Sequence, residues 1–365
     1  MLVVGSLFGC LSETASAPNA PIRSCSTPAC DVNGHEMRLD EALHVVSLVT
    51  YDGSGQAVHP DVVVTPPGWS THIFHLALTP YPYTHDAFEN PSIYGSDDGV
   101  KWVVDSGVSN PIVPKPPQGH LADPALVYVP ETQELWIYYL RASDSSYIDM
   151  VRSPDAVHWS SPRNIGAVKS YFWLSPSVVH RAPGDWQMWS VNGGAGCSAP
   201  TGWIERRTST DGLIWSDPVR VNLDQPGFLP WHVAVTWIPS LGQFWALYAA
   251  KITGQACGTP GVFLATSADG LNWVTYPSPV LVRGAILEFS GQVYRSTMTY
   301  DSLTDVVRFW YSGAQTNPQG PEWSIATQQL RRADLFRQLE AIPRTAVASS
   351  LRASSSWPSP EPEMP

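Results

Sequence analysis

The sequence predicts an all-β protein, a five-bladed β-propeller with four-stranded antiparallel blades. Three observations carry that reading. A turn motif recurs at 96–102 (SDDGVKW), 153–159 (SPDAVHW), 209–215 (STDGLIW) and 267–273 (SADGLNW), and its tryptophans, Trp102, Trp159, Trp215 and Trp273, are 57, 56 and 58 residues apart. A near-constant period of this length marks a repeat architecture. Each period opens with two strand-like runs around a short turn: HPDVVV…HIFHLALTPY, ADPALVYVPETQELWIYYL, LSPSVVHRAPGDWQMWSV, WHVAVTWIPSLGQFWALYAA and YRSTMTYDSLTDVVRFWYSG. Only 15% of residues are charged while Pro and Gly number 34 and 27, a mixture that suits short strands joined by turns better than long helices.

Each element follows in order. The opening MLVVGSLFGC resembles a bacterial lipobox, in which Cys10 becomes the lipidated N-terminus of a secreted, membrane-anchored lipoprotein, periplasmic or on the cell surface. Residues 11–43 read as a Ser/Ala/Pro-rich tether and lead-in. The propeller is expected over 44–330. In each unit two strands and a long loop lead to a third strand, the turn motif and a fourth strand. Asp-Gly favours a tight turn because it tolerates positive φ. The Ser and Asp oxygens can take up turn amides, and the Trp packs between units. The fifth unit lacks the turn motif and is one strand short, so HVVSLVTY (44–51) is expected to supply the missing strand and close the ring. Residues 331–344 have helical spacing, and 345–365 read as a disordered tail.

In a propeller the first strand of every blade begins near the axis on one face. Aligned on their polar openings, Asp61, Asp123, Ser175, His232 and Arg295 ring one funnel, each followed by an apolar strand. The loops between second and third strands end on the same face, which brings Glu89, with Asp86 and His85, beside Asp61. His59, Trp173 and Trp231 flank the openings. Singly, each of these could be a turn cap or a core residue; together they describe a polar ligand site.

With HPDV at 59–62 and DPALVYV at 123–129, the chain resembles the five-bladed propeller glycoside hydrolases, the arabinanase, β-xylosidase and invertase superfamily, and family 43 in particular. The resemblance covers about residues 44–330. It implies a general base at Asp61 and a carboxylate at Asp123 that orients the acid and tunes its pKa. It also implies polar axial groups at His232 and Arg295. The chain departs from that family at blade three, where the catalytic Glu is replaced by Ser175. Glu89 is the best substitute acid, with Glu288 as another candidate. The expected activity is therefore hydrolysis of a glycosidic bond in a polysaccharide or oligosaccharide, with Asp61, Asp123 and Glu89 catalytic and His59, Ser175, His232, Arg295, Trp173 and Trp231 binding substrate. The alternative is a surface propeller that binds glycan and cleaves nothing.

The net charge of −11 and the absence of a basic stripe argue against nucleic acid as a partner. A carbohydrate ligand is expected, with the chain a monomer and the membrane reached only through a lipid on Cys10. No cofactor and no metal ligand set is assigned, although a central Ca²⁺ ion is compatible with the funnel. Besides Cys10 there are four cysteines, an even number in an exported chain, which favours disulfides between Cys25 and Cys30 and between Cys197 and Cys257.

Overall fold

A computed structural model of the chain describes residues 42–341, apart from 256 and 257. A short strand, β1 (His44–Val45), precedes blade one, which comprises β2 (Ala57–Val64), β3 (Phe74–Pro80) and β4 (Ser92–Ser96). Blade two holds β5 (His120–Val129), β6 (Glu134–Ala142), β7 (Ser146–Ser153) and β8 (Arg163–Val168). Blade three holds β9 (Trp173–Ala182), β10 (Asp185–Asn192), β11 (Trp203–Ser209) and β12 (Val219–Arg220). Blade four holds β13 (Phe228–Ile238), β14 (Gln243–Ile252), β15 (Gly261–Ser267), β16 (Val274–Thr275) and β17 (Leu281–Val282). Blade five holds β18 (Gln292–Asp301), β19 (Val306–Asn317) and β20 (Gly320–Arg331). All pairings are antiparallel. Blade one is three-stranded, with its fourth edge marked only by the bridge between Gly95 and Val103.

The inner strands β2, β5, β9, β13 and β18 contact one another in cyclic order, so the five sheets circle one axis. The ring is closed by β1, which pairs with β20 through His44–Thr327 and Val45–Ala326 and supplies blade five with its fourth strand. Val46 extends the pairing by donating its N–H to Ile325 O at 2.8 Å. Val46 and Leu48 then bury themselves beside Trp310 and Ile325, between blades five and one.

The turn motif does what its chemistry predicts. In blade four, Ser267 Oγ accepts the N–H of Gly270 (2.8 Å), and Asp269 Oδ1 accepts those of Leu271 and Asn272 (2.8 Å each). Asp98, Asp155 and Asp211 each accept the two corresponding amides through Oδ1 in the same way. Three of the motif tryptophans stand edge-on to an aromatic ring of the preceding blade: Trp102 to Trp310, Trp215 to Tyr138 and Trp273 to Trp189. Those rings in turn donate hydrogen bonds to the turn carbonyls of Gly99, Gly212 and Gly270. The turns are thus the seams between blades.

After β20 the chain enters α1 (Arg332–Ala341). Leu335 and Leu339, four residues apart, share one face and are buried with the apolar side chains of blades four and five, and Phe336 meets Trp245 edge-on. The expected lipid site Cys10, the pair Cys25 and Cys30, the tether and the tail lie outside the described residues.

Candidate metal and catalytic centre

Each inner strand carries a bulge near its start. The register shifts fall between Val58 and Asp61, Ala122 and Ala125, Leu174 and Ser177, Pro230 and His232, and Val293 and Ser296. In blades one to three the first bulged residue precedes a proline and has positive φ: His59 at 56°, Asp123 at 52° and Ser175 at 53°. That conformation is strained for a residue with a side chain, and more so before proline. It aims these side chains at the axis instead of along the sheet.

The bulges correct the expected ring. His59, not Asp61, occupies the position of Asp123 and Ser175. Asp61 sits two residues further along, half-buried, and both its oxygens are engaged: Oδ2 accepts Leu126 N–H at 2.8 Å and Oδ1 accepts the Thr297 hydroxyl at 2.8 Å. Burial raises its pKa, while Arg295 and these hydrogen bonds offset part of the rise. Asp61 therefore ties blades five, one and two together and is not the free base expected. Ser175 is likewise a tie: its N–H reaches Asp123 Oδ2 at 2.9 Å, and its hydroxyl bonds the backbone of Val233. With Ser177 bonding Val235 and Thr236 bonding Met298 O, every adjacent pair of inner strands is laced by a side chain.

Inside this belt the nitrogens of two imidazoles converge on Asp123. His59 Nε2 lies 3.4 Å and His232 Nδ1 3.3 Å from Asp123 Oδ1, and the Arg295 guanidinium is 3.5 Å from the same oxygen. All four side chains are buried. Yet Asp123 Oδ1, His59 Nε2, both nitrogens of His232 and Arg295 Nη1 make no well-formed hydrogen bond. Buried polar atoms are rarely left so. One donor atom each from His59, Asp123 and His232 falls within 4.8 Å of the others, a spacing that fits one cation bound by two imidazoles and a carboxylate.

The protonation states agree. Burial drives His59 down to about 3, outweighing Asp123, so its imidazole is neutral and can ligate near neutral pH. Burial alone would raise Asp123, but the facing His232 and the Arg295 guanidinium hold its carboxyl below the usual range. Counted with Asp61 and Glu89, three carboxylates and one guanidinium surround the axis, a formal −2 when all are ionised, which a divalent cation neutralises. The expectation that no metal ligand set exists is thus corrected.

Glu89 is the second half of the site. It ends the 3₁₀ turn Asp86–Phe88 and is buried, with Oε1 3.3 Å from His59 Nδ1 and 3.5 Å from the Thr79 hydroxyl. Its Oε2 lies 3.3 Å from His120 Nε2, and His120 Nδ1 lies 3.4 Å from the exposed Asp86 carboxylate. A carboxylate behind a ligating His fixes the ring's orientation. His120 escaped the sequence reading, although it stands three residues before Asp123 on the same strand. Tyr294 escaped it too; its ring packs 4.2 Å from that of His232 and its hydroxyl accepts Trp231 Nε1–H at 3.1 Å.

The two tryptophans expected to stack on sugar do other work. Trp173 is 3% exposed, covered by the Arg207 guanidinium and bonded through Nε1 to Ser190. Trp231 is buried edge-on against His232. Cys197 is disulfide-bonded, and its expected partner Cys257 lies outside the described residues.

Fold and site together define a five-bladed propeller with a buried two-histidine, one-carboxylate cluster at its axis and a paired Glu and His beside it. No known protein-family model matches the chain. An alignment of 311 positions, which covers 71% of this chain, is 32% identical to an A type blood N-acetyl-alpha-D-galactosamine deacetylase of Flavonifractor plautii. The chain spans 40% of the length of that curated relative. The crystal structure of an N-acetylgalactosamine deacetylase from F. plautii, in complex with blood group B trisaccharide, superposes with a TM-score of 0.76 at 28% identity, covering 82% of this chain and 97% of that one. A thermostable family-43 glycoside hydrolase superposes at 0.54 with 14% identity over 76% of this chain and 89% of that one, which shows the fold alone. The expected kinship with family 43 is therefore overturned, and acid–base cleavage of a glycosidic bond with it. Ser175, which stands where the glycosidase acid would, is spent on joining blades.

Proposed function

We propose that this chain is a metal-dependent carbohydrate deacetylase that hydrolyses the acetamide of an N-acetylated sugar, N-acetylgalactosamine being the first candidate. The observation that carries the reading is the convergence of unpartnered donor atoms of His59, Asp123 and His232 next to a buried Glu89. Similarity to the deacetylases supports it, and so does the loss of the glycosidase acid.

His59, Asp123 and His232 would hold the cation, which supplies Lewis acidity at the acetyl carbonyl and makes water more acidic. Asp123 is kept anionic and oriented by Ser175 N–H. Glu89 takes a proton from the attacking water on Oε2. His120, steadied by Asp86, returns a proton from Nε2 to the departing nitrogen as the C–N bond breaks, leaving acetate and an amino sugar. Arg295 stands ready to offset negative charge as the carbonyl becomes tetrahedral. The low-dielectric, water-poor axis strengthens each of these interactions.

The test is incubation with N-acetylgalactosamine-terminated glycans, reading acetate and free amine. Acetate release is expected, abolished by chelation and lowered at least ~10²-fold by Glu89→Gln, the usual scale for a general base. Release of free sugar without acetate would overturn the assignment.

A further inference from the structure

The chain has 40 aromatic residues (16 Trp, 14 Tyr and 10 Phe), and among the described ones the large exposed rings are only three. They are Tyr51 at 37%, Tyr83 at 41% and Phe88 at 41% exposure; every other large exposed apolar side chain is aliphatic. All three belong to the rim of blade one, on the two segments that flank β2 and β3, and Phe88 adjoins Glu89. From these three rings, on two neighbouring segments of one blade, we propose that the blade-one rim is a second sugar subsite, which holds the residue linked to the acetylated one by stacking it on Tyr83 and Phe88. The inference rests on the deacetylase reading and names its substrate as an oligosaccharide end in place of a free monosaccharide.

The rim is built, not loose. The Tyr51 hydroxyl donates to Phe88 O at 2.5 Å, joining the two segments. Burial raises Tyr51 to about 12, and the charges of Asp52 and Glu89 add to it, which sets this phenol in the field of the catalytic carboxylate. Gln56 is buried, and its side-chain oxygen accepts both Tyr83 N–H and Trp323 N–H at 3.1 Å. Tyr83 and Thr84 have φ of 51° and 68°, two successive left-handed residues without glycine. Trp323 Nε1–H reaches the Thr84 hydroxyl at 3.3 Å and helps hold them there. Strain of this kind, fixed from blade five, presents the Tyr83 ring to solvent rather than letting it fold away.

The occupant follows from size, chemistry and place. Three side chains offer far less than the ~800 Å² per partner of a stable protein interface. They suit one pyranose, whose axial C–H face is apolar while its hydroxyls stay wet. Asp86 and His85, exposed on the same segment, can take those hydroxyls. Because Phe88 immediately precedes Glu89, a glycan whose acetamide reaches Glu89 and His120 would extend over Phe88.

The experiment compares a methyl glycoside of N-acetylgalactosamine with an N-acetylgalactosamine-terminated trisaccharide. The trisaccharide should show the higher kcat/KM, mainly through KM. Tyr83→Ala and Phe88→Ala should each lower the trisaccharide-to-monosaccharide ratio, by about tenfold at most, and Phe88→Trp should restore it. Calorimetric titration with the trisaccharide should show the same loss of affinity whether or not turnover occurs. If neither compound loses acetate, the deacetylase reading falls, and the titration still decides the subsite. An unaltered ratio together with unaltered affinity would overturn the subsite, as would sedimentation showing that these variants dissociate a dimer.

Discussion

Asp61 and Asp123 are carboxylates on neighbouring inner strands, yet their surroundings set them opposite tasks. Both oxygens of Asp61 are consumed by Leu126 and Thr297, whereas Asp123 anchors Oδ2 on Ser175 and leaves Oδ1 bare among two imidazoles and a guanidinium. Loss of Asp61 strands two donors, and such losses cost about 1–3 kcal/mol each when the groups stay buried. Asp61→Ala should therefore lower unfolding stability by roughly 2–4 kcal/mol. Asp123→Asn should instead remove metal uptake, which Asp61→Ala keeps, and it should also lower the stability of the metal-free protein because the buried Arg295 guanidinium loses its carboxylate. Urea titration and calorimetric metal binding, run on both variants, separate the two roles; metal uptake surviving in Asp123→Asn would remove the ligand assignment. The sequence held the means to tell them apart. Pro60, Pro124 and Pro176 mark one register, which pairs His59 with Asp123 and Ser175. Chemical likeness paired Asp61 with Asp123 instead, and a two-residue bulge is invisible to that comparison. The axial identity of Asp123 and His232 was legible because each begins an apolar run, and that of Arg295 because it opens the matching strand of the fifth repeat. The convergence of His59 and His120 on Glu89 was not, since it depends on loop paths that no periodicity encodes.

At the scale of elements, the turn motif was legible because its chemistry is local, and the structure adds why one copy differs. Gly99, Gly212 and Gly270 all have φ near +72°, and a Cβ at Gly270 would come 2.5 Å from Trp189. The second motif carries Ala156 at this place, with φ of 62°. There blade one presents Ala77 where blades two and three present Tyr138 and Trp189, by the strand registers, and Ala77 and Ala156 share one apolar cluster. A small residue on one side of the seam permits a methyl on the other. Gly270→Ala should combine positive-φ strain with overpacking and cost about 2–4 kcal/mol. Ala156→Gly should cost about 1 kcal/mol or less. Thermal melts of the two variants test the seam directly; equal shifts would mean that the neighbouring ring does not set the residue.

For the whole molecule, the ring was readable from spacing, and closure by β1 from a missing strand in blade five. What spacing could not show is that the axis links blades through chemistry as well as through packing. His59, Asp123 and His232 come from blades one, two and four, and the side chains that lace the inner strands join all five. A cation bound by the three would cross-brace sheets distant in sequence and bind only the closed ring. By mass action, such a ligand at 100 times its dissociation constant adds about 2.7 kcal/mol to stability. For a chain of this size that is a rise in melting temperature of very roughly 4 °C. Adding a first-row divalent ion to chelator-treated protein should produce this rise, largest for metals that favour nitrogen ligands. Asp123→Asn and His232→Ala should each erase it, whereas Glu89→Gln should keep it because Glu89 stands behind His59 and not among the proposed ligands. The metal series by scanning fluorimetry decides the matter: a shift that survives both ligand substitutions would place the cation elsewhere and leave the buried imidazoles as a structural knot.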